Sequence, residues 1–215
     1  MKIKLTYLGI KGFAEPIRLC LFMSGIPFED ERISYDEISK RRSTLPYGQV
    51  PVLEVDGVVY SQSNAILRWA GRQGHLYPDE FQLRCDAVIS CIDDINKSLS
   101  PQWYGHVLAR CPGNGKHFVP LSTLQKEDTE NYLNQEVLPG HFFMLERQLG
   151  SNPYFCGTTL TIADLRWYVV GSGFMDGTYC DGISESILNK FPSLIKLVQR
   201  VGNHPKVEEW NKMEH

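Results

Sequence analysis

The sequence has no Cys-x-x-Cys pair, no apolar run long enough to span a membrane and no block of one charge sign. Each absence removes a class of protein. The six cysteines, Cys20, Cys85, Cys91, Cys111, Cys156 and Cys180, are scattered. Four of them fall in apolar or helical surroundings, where a free thiol behaves as a small hydrophobe. The reading is a reduced, cytoplasmic protein, neither a disulfide scaffold nor a dithiol redox enzyme. No window approaches the roughly 18 uninterrupted apolar residues of a membrane span. The stretch Met1-Lys2-Ile3-Lys4-Leu5-Thr6-Tyr7 lacks the apolar core of about 7–15 residues that a signal peptide needs. With 22 Lys+Arg against 25 Asp+Glu the net charge is −3. No basic cluster exceeds Lys40-Arg41-Arg42, which excludes a nucleic-acid footprint. The histidines (His75, His106, His117, His141, His204, His215) show no metal-ligand spacing, so no metal is expected. A G-x-S-x-G elbow, a P-loop and a G-x-G-x-x-G turn are missing too.

What is present is ordinary globular material: 42% hydrophobic and 22% charged residues in 215. At about 150 residues per domain, that length fits one large domain or two small ones. Such a chain buries about 70% of its unfolded surface and requires no staple. Lys2 to Leu8 alternates as a half-buried strand does. Pro16 suits the first turn of a helix carrying Ile17, Leu19, Cys20, Leu21, Met23 and Ile26, with Gly25 as its C-cap. Phe28 to Ile33 reads as a second strand. Val50 to Val55 and Val58 to Tyr60 flank Asp56-Gly57, a strong hairpin signal because both turn positions need positive φ. Ser61 or Ser63 then caps a helix with Ala65, Ile66, Leu67, Trp69 and Ala70. The order is β-α-β, an irregular stretch, then β-β-α: a small mixed sheet with helices on its faces.

Tyr77-Pro78-Asp79-Glu80 reads as a linker, and everything after it as helix. Leu83 to about Leu108 is helical, Cys111 to Leu124 is a loop, and Thr129 to Leu149 resumes the helical period. Thr161-Ile162-Ala163-Asp164 is a capping box, flanked by Leu160 and Leu165 as a hydrophobic staple. The expected organisation is therefore an α/β domain over residues 1–78 and an all-α domain over 84–215.

Three local features carry chemistry. Tyr7 ends the first strand just before a turn containing Gly9 and Gly12. Pro51 enters a strand, which marks an edge, a bulge or a cis turn. Gln62-Ser63 stands at a helix N-terminus, where backbone donors and the dipole favour a carboxylate. In a β-α-β-β-α sheet all three lie at one end of the strands. Together they suit an extended anionic peptide bearing a thiol. Each also has a plain structural reading: a packing tyrosine, an edge proline, an N-cap serine. Asp93-Asp94 reads as a solvated or interface face before it reads as a cation site.

The joint pattern resembles cytosolic glutathione transferases of the tyrosine type. It is most similar to the sigma class, which includes glutathione-dependent prostaglandin D synthases and lens S-crystallins. The resembling stretches are Leu5-Thr6-Tyr7 with Gly12-Phe13-Ala14-Glu15-Pro16-Ile17-Arg18; Thr44 through Gly57; Gln62-Ser63 with Ala65-Ile66; and Leu160 through Asp164. The resemblance implies a thioredoxin-like N-terminal domain with a cis Pro51, an all-α C-terminal domain and a homodimer. It implies that Tyr7 hydrogen-bonds the glutathione sulfur and that Gln49, Val50 and Pro51 line the cysteinyl part of the peptide. Gln62 and Ser63 would hold the γ-glutamyl carboxylate, Arg42 the glycyl carboxylate, and Asp94 would reach the site of the partner subunit. Leu8, Phe13, Trp103 and Tyr104 would wall a pocket for a hydrophobic electrophile. Glutathione would be the co-substrate, with no other cofactor.

Two positions depart from the family pattern. Ile38 aligns with the family's tryptophan near Arg42, which removes an indole N–H. Phe13 stands where sigma-class proteins often carry an arginine. The activity implied is conjugation of glutathione to hydrophobic electrophiles, as in detoxification. The alternatives are a prostaglandin-type isomerase and a crystallin-like structural relative with little activity.

Overall fold

The structure, a computed structural model, describes residues 1–104, 106–107, 119–120 and 123–213. Strand β1 (Ile3–Leu8) buries Ile3, Leu5, Tyr7 and Leu8. Helix α1 (Glu15–Met23) opens with Pro16 in its first turn, where a missing N–H is no loss. Its C-cap is Ser24; the glycine expected there, Gly25, follows one residue later at φ 66°. Strand β2 (Glu29–Ile33) runs parallel to β1, while β3 (Val52–Val55) pairs antiparallel with β1 and with β4 (Val58–Ser61). The strand order is β2-β1-β3-β4. Asp56 and Gly57 make the expected turn, both with positive φ, 48° and 85°.

The stretch between β2 and β3 holds helix α2 (Tyr35–Arg41), where the sequence reading had only an irregular segment. Its signal was present: Ser34 and Glu37 form a reciprocal capping box. Helix α3 (Ser63–Gln73) follows β4 and packs on α1. Neither Ser61 nor Ser63 caps it. Gln62, at φ 75°, turns the chain from strand to helix in one residue and so occupies the N-cap, leaving Ser63 already helical. These elements form the thioredoxin-like arrangement.

After a short 3-10 turn at Asp79–Phe81 comes α4 (Gln82–Tyr104). The helix expected to about Leu108 has given way to strand by His106, and Leu108 itself lies outside the described residues. Two-residue strands β5 (His106–Val107) and β6 (Val119–Pro120) pair with one another, so this half is not purely helical. Most of the expected Cys111-to-Leu124 loop lies outside the described residues; its last two, Thr123 and Leu124, are helical. Helix α5 (Thr123–Tyr132) continues through a π-helical turn (Leu133–Val137) into α6 (Leu138–Leu149). The widened turn precedes Pro139, which lacks the N–H that a regular α pattern would use.

Helix α7 (Ile162–Met175) is almost wholly buried, packed by α1, α4 and α8 (Pro192–Gly202). Helix α9 (Pro205–Asn211) returns to α1, and Trp210 Nε1 donates to Glu15 Oε1 at 2.7 Å. At the head of α7 the Asp164 carboxylate accepts from the Thr161 N–H, the Thr161 hydroxyl and the Phe155 N–H, each at 2.8 Å. Cys20, Cys85, Cys156 and Cys180 are buried, and Cys91 is half-buried. Cys85 and Cys156 are free thiols that share a hydrogen bond at 3.7 Å between sulfurs, a proximity their spacing did not reveal. No helix among the described residues is long and apolar enough to cross a membrane.

Candidate active site

At the end of β1 the chain must reverse into α1, and Arg18 fixes that reversal. Its fully buried guanidinium donates to the carbonyls of Leu8 and Ile10 at 3.1 and 2.8 Å. It also pairs with Asp30 and Glu15, at 2.9 and 3.2 Å. The Tyr7 ring lies 5.8 Å from this guanidinium. On the other side of the turn the Phe13 N–H donates to the Tyr7 hydroxyl oxygen at 3.3 Å. Burial raises the Tyr7 pKa above its ordinary value, against the lowering effect of the Phe13 N–H. Tyr7 is therefore a neutral phenol at working pH. Its oxygen is engaged, and its own proton has no acceptor among the described residues. Its chemistry is that of a donor and not of a base.

The other residues that the sequence put at this end of the sheet are where the strand order brings them. Val50–Pro51 is cis and directly precedes β3, with Pro51 buried and Gln49 exposed. Arg42 is the C-cap of α2 and is exposed; its Cγ lies 3.1 Å from the position a Cβ on Gly48 would take. Gln62 is exposed and Ser63 half-buried at the start of α3, whose first turn receives no side-chain cap. Those backbone donors remain for a ligand. Asp94 is exposed on α4 and tied to Lys97 at 2.7 Å, which lowers its pKa. Ile38 is buried in α2 and packs into the core.

Of the residues expected to wall a pocket, Leu8 is buried and Phe13 and Trp103 are half-buried. Leu8 directly follows Tyr7 in sequence, and Phe13, on the far side of the turn, packs against the core. Trp103 is half-buried, and its indole N–H donates to the Tyr179 carbonyl at 3.1 Å, with the two rings 5.7 Å apart. Tyr104 ends α4, and its side chain lies outside the described residues. Two further depressions, of about 450 and 410 Å³, are lined by Arg72, His75 and Tyr77 and by Lys11, Arg32 and Trp210. Neither includes Tyr7.

Against this geometry stand the relatives. The description "Glutathione S-transferase, N-terminal domain" matches residues 12–73, and "Glutathione S-transferase, C-terminal domain" matches 116–214. Hematopoietic prostaglandin D synthase of Gallus gallus is 30% identical over 210 residues, 96% of this chain and 94% of that one. The chain belongs to the glutathione S-transferase family. Glutathione S-transferase 1 of Ascaris suum, another member, is 29% identical over 96% of this chain and 94% of its own. A solved prostaglandin synthase D of Nilaparvata lugens superposes with a TM-score of 0.82 at 28% identity, covering 100% of both chains.

Within the family frame, the interactions of five residues, Asn64, Asp93, Asn96, Arg166 and Tyr179, were not foreseen. Asp93, read only as half of an acidic pair, accepts from Asn64 at 2.5 Å and pairs with Arg166 at 3.1 Å. Arg166 lies with its guanidinium carbon 4.8 Å from the Phe13 ring centroid. An arginine thus does stand beside position 13, supplied from α7. The Tyr179 hydroxyl donates to Asn96 at 2.6 Å, and burial raises its pKa. The one available signal was a charged residue inside the apolar run Leu165-Arg166-Trp167-Tyr168-Val169.

Proposed function

We propose that this chain is a glutathione transferase that stabilises the glutathione thiolate through Tyr7 and conjugates it to hydrophobic electrophiles. The carrying observation is the Tyr7 hydroxyl: buried, neutral, fixed by the Phe13 N–H and with an unused proton. A free thiol of pKa about 8.5 is only a few per cent thiolate at neutral pH. Lowering that value by about two units takes ~2.7 kcal/mol of preferential interaction with the anion. One hydrogen bond to a charged group contributes about 1.5–3 kcal/mol, so a single placed donor is of the right size.

In this reading residues 1–78 bind glutathione and 84–215 add the helical wall. Val50 offers its backbone to the cysteinyl part beside Gln49 and Pro51. Gln62, Ser63 and the uncapped first turn of α3 receive the γ-glutamyl carboxylate. Arg42 faces the glycyl carboxylate. Leu8, Phe13, Trp103 and Tyr104 gather the electrophile, and glutathione is the co-substrate with no other cofactor. The protein works in the cytoplasm as a homodimer in which the exposed Asp94 serves the partner's site. Sedimentation at micromolar concentration should give twice the 24.5 kDa chain mass; a monomer alone refutes the shared site.

The deciding experiment is Tyr7→Phe with a chlorodinitrobenzene-type electrophile. The loss of one preorganised donor should lower kcat by about a hundredfold or more. The pKa of the bound thiol should return toward that of free glutathione. An unchanged rate and thiol pKa would refute the mechanism.

The names of the prostaglandin D synthase relatives favour a second reading, glutathione-dependent isomerisation of a lipid endoperoxide at the same thiolate. Incubation with an endoperoxide separates the two, since only the isomerase yields a glutathione-dependent rearranged product. A crystallin-like relative would fail both assays and would pass through a glutathione column unretained.

A further inference from the structure

Arg166 is 2% exposed and lies in the largely apolar, buried run Leu165–Val170 of α7. A guanidinium in that position is costly unless it is paired. One pairing is present: Nη2 reaches Asp93 Oδ1 at 3.1 Å, while Asp93 Oδ2 accepts from Asn64 at 2.5 Å. The link ties the first turn of α3, through α4, to α7. It does not satisfy the cation, because Arg166 Nε is buried with no partner among the described residues. The guanidinium instead lies against the Phe13 ring, 4.8 Å from its centroid, and the Phe13 N–H holds the Tyr7 oxygen. The charged and titratable groups around it are Asp93 from α4, Tyr7 from β1 with Arg18 behind it, and Tyr179 beyond α7. The Arg166 charge opposes the effect of burial on both phenols.

We propose that Arg166 is a positioning residue of the thiol site, a buried cation held over Phe13 by Asp93 that stabilises the thiolate bound at Tyr7. The inference rests on the reading of the chain as a glutathione transferase with Tyr7 at the sulfur. A hydrogen bond from Tyr7 acts only at contact distance, whereas a charge in a desolvated site acts through the intervening ring. The two contributions are then separable. Tyr7 supplies the donor, and Arg166 sets the potential in which the donor works.

The test uses the full chain with reduced glutathione, reading thiolate ultraviolet absorbance against pH, beside the affinity for S-hexylglutathione, which has no ionisable sulfur. Arg166→Met should raise the bound-thiol pKa by about one unit and leave the S-hexylglutathione affinity unchanged. Arg166→Lys should restore most of that shift. Asp93→Asn, which removes the neutralising carboxylate, should lower the thiol pKa below the wild-type value. A wild-type thiol pKa in Arg166→Met overturns the proposal. If that variant does not fold, an unchanged thiol pKa in Asp93→Asn overturns it instead. Wild-type protein that binds glutathione without lowering its thiol pKa brings down the transferase reading itself, and is distinguished by involving no variant.

Discussion

The Phe13 N–H donates to the Tyr7 hydroxyl oxygen across 3.3 Å, so the backbone on the far side of the turn aims the phenol. The two residues stand six positions apart in sequence. The turn between closes only because Arg18 collects the Leu8 and Ile10 carbonyls from beneath it. A phenol on an unrestrained loop would lose orientational freedom on each encounter with ligand. Here that cost is met during folding, which is how a single hydroxyl becomes an effective donor.

Gly12 is the tightest point of this arrangement. Its φ is +44°, and a Cβ there would stand 2.7 Å from the Tyr7 hydroxyl oxygen. Gly12→Ala must therefore displace the phenol, and the backbone conformation adds about 1 kcal/mol of strain. The expected outcome is a folded protein whose kcat falls by about tenfold to a hundredfold, with a raised bound-thiol pKa. Glutathione affinity should change little, because the carboxylate contacts lie elsewhere. Steady-state kinetics beside isothermal titration check the split, and an unaltered kcat would show that the turn does not aim Tyr7.

Ser63 separates two roles that the sequence alone could not. If it capped α3, Ser63→Ala would cost about 1 kcal/mol of stability. The structure puts Gln62 at the N-cap and gives the helix no side-chain cap, so urea unfolding of Ser63→Ala should match wild type. The loss should appear as about a tenfold weaker affinity for glutathione, the size of one hydrogen bond to a carboxylate. A lower unfolding midpoint with unchanged affinity would return Ser63 to a capping role.

The legible part of this protein was whatever periodicity and turn chemistry write along one segment. The strand over Lys2 to Leu8, the Asp56-Gly57 turn and the Thr161–Asp164 box each needed only neighbouring residues and each is present, although β1 is buried on both faces from Leu5 to Leu8 and not half-buried as its alternation implied. Tyr7, Val50-Pro51 and Gln62-Ser63 lie at one end of the sheet because β3 runs antiparallel to both β1 and β4, with Thr6 opposite Val52 and Val52 opposite Ser61. The illegible part depends on chain crossings. Asn64 and Asp93 are 29 residues apart and Asp93 and Arg166 are 73 apart, so no spacing rule joins them. Helix α2 was missed for another reason: its charged, amphipathic run lacks the apolar stripe that marks a core helix, although its capping box was in plain sight. The π turn before Pro139 likewise shows how a single missing N–H reshapes a helix whose apolar period looked continuous.

Asp164 gives a pH-dependent prediction. Burial pushes its carboxyl from the ordinary 3.8 to about 6, although three donors favour the anion. Between those values the folded chain keeps a proton that the unfolded chain has released. Stability from this group is thus fully present below about pH 4 and is lost as pH rises through about 6, after which it is flat. Asp164→Asn removes the titration while keeping one acceptor oxygen. The difference in unfolding free energy between wild type and this variant should therefore shift against wild type from pH 4 to pH 6 and then level off. Asp164→Ala is harsher. It leaves the buried Phe155 and Thr161 N–H groups without an acceptor, which costs about 3 kcal/mol at any pH. Urea titrations at several pH values read both effects. A pH-independent difference for Asp164→Asn would mean that the three hydrogen bonds outweigh burial and that the carboxylate stays ionised throughout.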